Sequence, residues 1–142
     1  METTNDSRLA SSYWALRVTF ILVPLLAGLD KFTNLMTYWP NYLSPSFSRF
    51  IPIAPEAFMR IVGVIEVIAS LLVLSRLTRI GAYVVMGWLV CIAINLMNMR
   101  MFDLAVRDLA MAVGAFALAR LQELRTPATE RPVVFKLRSA TV

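Results

Sequence analysis

Four stretches of this chain run for about twenty mainly apolar residues, and that pattern excludes most soluble folds. A helix needs roughly 20 mainly apolar residues to cross a hydrocarbon layer of about 30 Å. Candidate spans of that length fall at Tyr13 to Lys31, Pro55 to Leu74, Ile80 to Asn98 and Leu104 to Leu121. Composition agrees, at 58% hydrophobic and 16% charged, with a mean hydropathy of +0.67, well beyond an ordinary globular domain. The first span follows the mixed-charge segment METTNDSRLASS, with no basic leader and no A-x-A-like cleavage site, so it is expected to remain in the mature chain.

The expected fold is all-α: an integral membrane four-helix antiparallel bundle over residues 1–124, followed by a cytoplasmic tail over 125–142. SRLTR and RMFD are tight turns between spans, which favours up-and-down connectivity. Between the first two spans runs FTNLMTYWPNYLSPSFSRFIPIAP, a long extracytoplasmic loop too rich in aromatic residues to float in water. It reads either as a cap on the outer face or as an aromatic anchor at the head groups. Pro24 and Gly28 predict a bend in the first span. Pro55 and Glu56 suit the first turn of the second. The alanines and Gly114 of the fourth mark it as the central packing helix.

Orientation follows from the basic residues. Arg8, Arg76, Arg79, Arg120, Arg125, Arg131, Lys136 and Arg138 fall on the side of the N-terminus, so the positive-inside rule places both termini in the cytoplasm of a bacterial plasma (inner) membrane. The net charge of +5 is accounted for by this topology and by anionic lipid, with no need for nucleic acid.

Ionisable groups inside spans cost about 2.5–3.5 kcal/mol each on insertion scales, and they tend to face the interior and pair. Glu66 lies roughly 15 Å below the outer start of its span at 1.5 Å per residue. Asp30, Lys31, Arg60, Arg107 and Asp108, with Asn95 and Asn98 three apart on one face, fall in the same outer layer. Three acids stand against three bases. These eight residues form an expected polar intramembrane network or ligand-binding zone, with Arg60 or a residue of the fourth span as the partner of Glu66. Such a network either fixes helix register or, through Glu66, exchanges protons or holds a polar head group.

The missing residue types narrow the chemistry. With no His there is no imidazole for haem, zinc or a proton shuttle. The single Cys, Cys91, excludes an internal disulfide and a C-x-x-C pair, and reads as core filler. Met97, Met99 and Met101 would suit copper(I), but alternate positions on a helix do not converge on one face, so no metal is assigned. Phosphate-binding and dinucleotide motifs are absent from the sequence.

The GLDKF end of the first span, the aromatic loop, the glutamate inside RIVGVIEVIASLLVL and the opening VRDLAMAVGAFALARL of the fourth span resemble the DoxX-like membrane proteins over Tyr13 to Leu124. The resemblance implies a four-helix membrane bundle, found among other places as the membrane subunit of thiosulfate:quinone oxidoreductase or in assemblies linked to thiol redox. The expected role is an accessory or scaffolding subunit of a larger membrane redox or energy-converting complex. It would have no intrinsic cofactor and would border a quinone or lipid site. A small transporter or proton-linked carrier using Glu66, and a membrane enzyme acting on a quinone or lipid head group, are the alternatives.

Overall fold

The computed structural model describes the backbone of residues 2–125 and the side chains of residues 7–125, and every regular element there is helical. The tail expected beyond residue 125 lies outside the described residues. The long helices are α1 (Glu2–Thr33), α3 (Pro55–Leu74), α4 (Thr78–Asn98) and α5 (Phe102–Arg125). Between α1 and α3 lie a 3-10 turn (Trp39–Tyr42) and the short helix α2 (Pro45–Ser48).

Local chemistry accounts for these limits. Pro55 opens α3 with Glu56 in its first turn, where an amide-free residue and an acid both suit the positive end of a helix. Helix α1 starts at Glu2 rather than Tyr13, because the polar residues before Tyr13 include neither Gly nor Pro to stop a helix. It also continues through Pro24 and Gly28. The carbonyl that Pro24 deprives of its donor is that of Phe20; Ser70 of α3 donates to the next one, the Ile21 carbonyl, at 2.7 Å and so ties this turn to its neighbouring helix.

Three helices are long and apolar enough to cross a membrane: Ser7–Thr33 within α1, Pro55–Leu74 and Thr78–Asn98. In α5, Arg107, Asp108 and Arg120 interrupt the apolar run. Packing pairs α1 chiefly with α3 and α4 chiefly with α5; α3 lies beside α4, and α1 closes against α5. Thus α5 holds one corner rather than the centre, with Ala105, Ala112, Ala115, Leu118 and Ala119 buried. Small residues there let backbones approach where hydrophobicity does not separate protein from lipid.

The core has two parts. One, towards the α3–α4 turn, gathers Tyr13, Phe20, Val73, Val85 and Leu118; the other, towards the long loop, gathers Ala93, Leu96 and Ala105. Gly81 sits where a Cβ would come 2.6 Å from the Val73 nitrogen, so the α3–α4 turn closes only around glycine. Cys91, expected in the core, is exposed on α4.

Charge divides unevenly between the ends. The loop end carries Lys31, Arg49, Arg60, Arg100 and Arg107 against Asp30, Glu56, Glu66, Asp103 and Asp108, so the signs balance among the described side chains. At the α3–α4 end, Arg8, Arg17, Arg76, Arg79, Arg120 and Arg125 face a single acid among the described side chains, Glu123, which pairs with Arg79 at 3.0 Å and with Arg120 at 2.5 Å.

Candidate functional site: a buried ion pair under an indole lid

The polar centre is built on a glycine crossing. A Cβ on Gly28 would lie 2.7 Å from the Gly63 carbonyl oxygen, and a Cβ on Gly63 would lie 2.6 Å from the Gly28 carbonyl oxygen. Each is tighter than any side chain tolerates, so the α1 and α3 backbones touch there. One turn on from each glycine stands a charged residue, Lys31 on α1 and Glu66 on α3. Their side chains meet at 2.6 Å and are almost fully buried. The pair that the sequence left open is therefore Lys31–Glu66, with neither Arg60 nor a residue of α5 as the carboxylate's hydrogen-bonded partner.

Trp39 covers the pair. Lys31 Nζ lies 3.6 Å from the centroid of the Trp39 ring, well inside cation–π range, so the ammonium has a carboxylate on one side and an aromatic face on another. The indole N–H of Trp39 donates to Asp30 Oδ2 at 2.8 Å. On α4, the Trp88 indole N–H is buried with no hydrogen bond of ordinary geometry among the described residues. That N–H and the Asp108 carboxylate are the polar groups that α4 and α5 bring near Glu66. Glu66 is thus addressed from three other helices.

Asp30 does a different job from the one expected of it. Its carboxylate accepts from the Leu35 N–H (2.9 Å), the Met36 N–H (3.1 Å), the Thr33 hydroxyl (3.1 Å) and Trp39. It therefore ends α1 and folds the start of the loop rather than joining the ion pair. Asn34, at φ 50, supplies the left-handed turn that asparagine tolerates better than most residues, and its side chain accepts from the Trp39 N–H at 3.3 Å.

Asn95 clamps the far side of the loop. Its Oδ1 accepts from the Ser44 N–H at 3.0 Å, and its Nδ2 donates to the Tyr42 carbonyl at 2.6 Å. A third attachment runs from the Tyr38 hydroxyl to Glu56 at 2.7 Å. That bond raises the phenol above its ordinary value, with partial burial and the carboxylate charge adding to the effect, so Tyr38 remains a donor at neutral pH. The loop is therefore pinned to α1, α3 and α4.

The remaining expected members lie outside this centre. Asn98 is exposed and donates to the Ile94 carbonyl of its own helix at 3.1 Å. Arg60 is exposed on α3, a turn from Glu56. Arg107 points outward and reaches its neighbour Asp108 at 3.3 Å, while Asp108 is buried. The discrepancy is one of helical phase: residues at one depth share a layer, but only those on inward faces can meet. Sequence reading missed Trp88 and the glycine crossing. The signal for the latter was the shared spacing G-x-x-K and G-x-x-E, which sets a small residue one turn before each charge.

Two outcomes test this geometry. Trp39→Ala removes the ring over Lys31 and should raise labelling of Lys31 by a small amine-reactive reagent, read by peptide mass spectrometry; labelling no faster than in the wild type would contradict the lid. Asn95→Ala leaves the Ser44 N–H and the Tyr42 carbonyl without their partner, at about 1–3 kcal/mol. Amide exchange over residues 39–48 should quicken while α3 stays protected.

Long apolar helices around a buried ion pair, with a loop folded over one end, define a small multi-pass helical membrane protein. The DoxX family model matches residues 13–98, more than half of the 142 residues, and the chain belongs to the DoxX family. No curated protein and no solved structure matches it.

Proposed function

We propose that this protein is a non-catalytic accessory or scaffolding subunit of a bacterial inner-membrane redox or energy-converting complex, bordering a quinone or lipid site. In this reading α5 is the fourth span of an antiparallel bundle. Its charges lie near its two ends, leaving 109–119 free of them, and long basic side chains can reach the head groups. Both termini are then cytoplasmic, in line with the excess of arginine at the α3–α4 end.

The observation that carries the reading is the closed polar centre. Lys31 and Glu66 neutralise each other beneath Trp39, so the chain offers its surroundings apolar helix faces and the rim of the loop. Leu35 (85% exposed), Met36 (71%) and Phe50 (86%) stand on that rim, apolar side chains suited to a protein neighbour. Native purification under mild detergent, followed by mass spectrometry, should recover a stable larger assembly with redox activity. Recovery solely as a free protein, without co-purifying activity, would reject the reading.

A second reading draws support from the like-charge neighbour Asp108. A buried acid beside a base and a second acid suits a proton-linked carrier with Glu66 as the exchanging group. Its partner would be Lys31. Proteoliposome flux decides: unchanged flux and pH dependence in an active, folded Glu66→Gln protein would remove Glu66 from such a role.

A further inference from the structure

The α3–α4 end holds a second arrangement that the ion pair does not use. An open cleft of about 550 Å³ there is lined by Tyr13, Arg17, Ser75, Arg76, Thr78 and Gln122, among others. The Arg17 guanidinium is fixed at its edge. It donates to the carbonyls of Val73 (3.2 Å), Leu74 (2.8 Å) and Ser75 (3.1 Å) and to the Tyr13 hydroxyl (3.2 Å). All four acceptors are neutral, so among the described residues its positive charge meets no carboxylate. Of the five N–H groups a guanidinium carries, one on Nη1 is left over.

Arg76, which also lines the cleft, is exposed and has no hydrogen-bond or ion-pair partner among the described residues. Glu123, the one acid among the described side chains at this end, is engaged by Arg79 and Arg120. The Tyr13 and Trp14 rings lie 5.8 and 5.2 Å from the Arg17 guanidinium carbon. Tyr and Trp of this kind mark the head-group level of a bilayer. The cleft therefore joins one immobilised guanidinium, one unpaired guanidinium and an interfacial position.

We infer that this cleft binds the phosphodiester of an anionic phospholipid head group, with Arg17 as the fixed donor and Arg76 as the closing one. Planar guanidinium groups match phosphate oxygens. The carbonyl contacts set Arg17 in place beforehand, so little side-chain freedom is lost when lipid arrives. A zwitterionic lipid carries its own cation beside the phosphate and is disfavoured by two arginines that have no acid between them among the described residues. The site is separate from the Lys31–Glu66 pair and stands whether or not the chain has a redox partner.

The test is native mass spectrometry of the detergent-solubilised full chain titrated with phosphatidylglycerol or phosphatidylcholine. Phosphatidylglycerol should be retained in preference. Arg76→Gln should lower its retention about fivefold, the effect of one basic residue at an anionic surface, whereas Arg49→Gln at the loop end should leave it unchanged. Arg76→Lys, which keeps the charge, should keep most of the selectivity. Equal retention of the two lipids, or a wild-type profile for Arg76→Gln, would overturn the assignment. So would displacement of the lipid by millimolar inorganic phosphate, which would make the cleft a soluble-anion site.

Discussion

Lys31→Met alone is expected to destabilise the protein by about 3–5 kcal/mol, because removing one member of a buried pair strands the other charge in an apolar setting. Glu66→Met should cost a similar amount, for here the Lys31 ammonium is left facing Trp39 and the Ala27 carbonyl at 3.4 Å. The double variant Lys31→Met/Glu66→Met should recover most of that loss. Two charges are then withdrawn together, and unbranched apolar side chains fill the space. Thermal unfolding in a single detergent at fixed lipid content would measure all four corners of this cycle. Additive losses would mean that the two groups do not act as a pair, contrary to their 2.6 Å contact. The cycle also bears on function. A protein that keeps its assembly but not its transport in the double variant would favour the carrier reading over the scaffold.

The second large effect lies at the glycine crossing. Gly63→Val places its first carbon where the Gly28 carbonyl oxygen would be 2.6 Å away, so α1 and α3 must separate. Overpacking a tight contact costs about 1–3 kcal/mol, and the separation also stretches the Lys31–Glu66 bond one turn further on. The combined loss should therefore exceed that of an equivalent substitution at Gly87, where an added Cβ meets nothing within 4 Å. Expression level and thermal midpoint of Gly63→Val against Gly87→Val would measure the difference. Similar values for both would show that the backbones do not need to touch.

Much of the architecture was legible beforehand, for reasons that can be named. The span Pro55–Leu74 begins and ends where expected, because Pro55 is a start signal and the polar SRLTR segment follows its apolar run. Apolar length found the three candidate spans in α1, α3 and α4 but could not find the true start of α1, since hydropathy reports where lipid ends and not where helical backbone does. For the candidate site, depth could be counted along each helix, whereas azimuth depended on how helices turn against one another. Glu66, Lys31 and Asp108 are therefore found buried on inward faces, while Arg60, Asn98 and Arg107 are exposed. Asp30 was hardest to read. Its role depends on a loop that doubles back within nine residues to bring Trp39 beside it, and that turn rests on the positive φ of Asn34, which residue type alone permits but does not require.

The early start of α1 has a mechanical consequence. A helix of 32 residues is roughly 48 Å long at 1.5 Å per residue, against a hydrocarbon thickness of about 30 Å. Were Tyr13 and Trp14 to mark the head groups, as the lipid site proposed above requires, the turns before them would stand clear of the bilayer as a stiff strut. Any domain or fluorophore joined ahead of Glu2 would ride at a height and compass bearing dictated by helical geometry, where a floppy tether would let it wander.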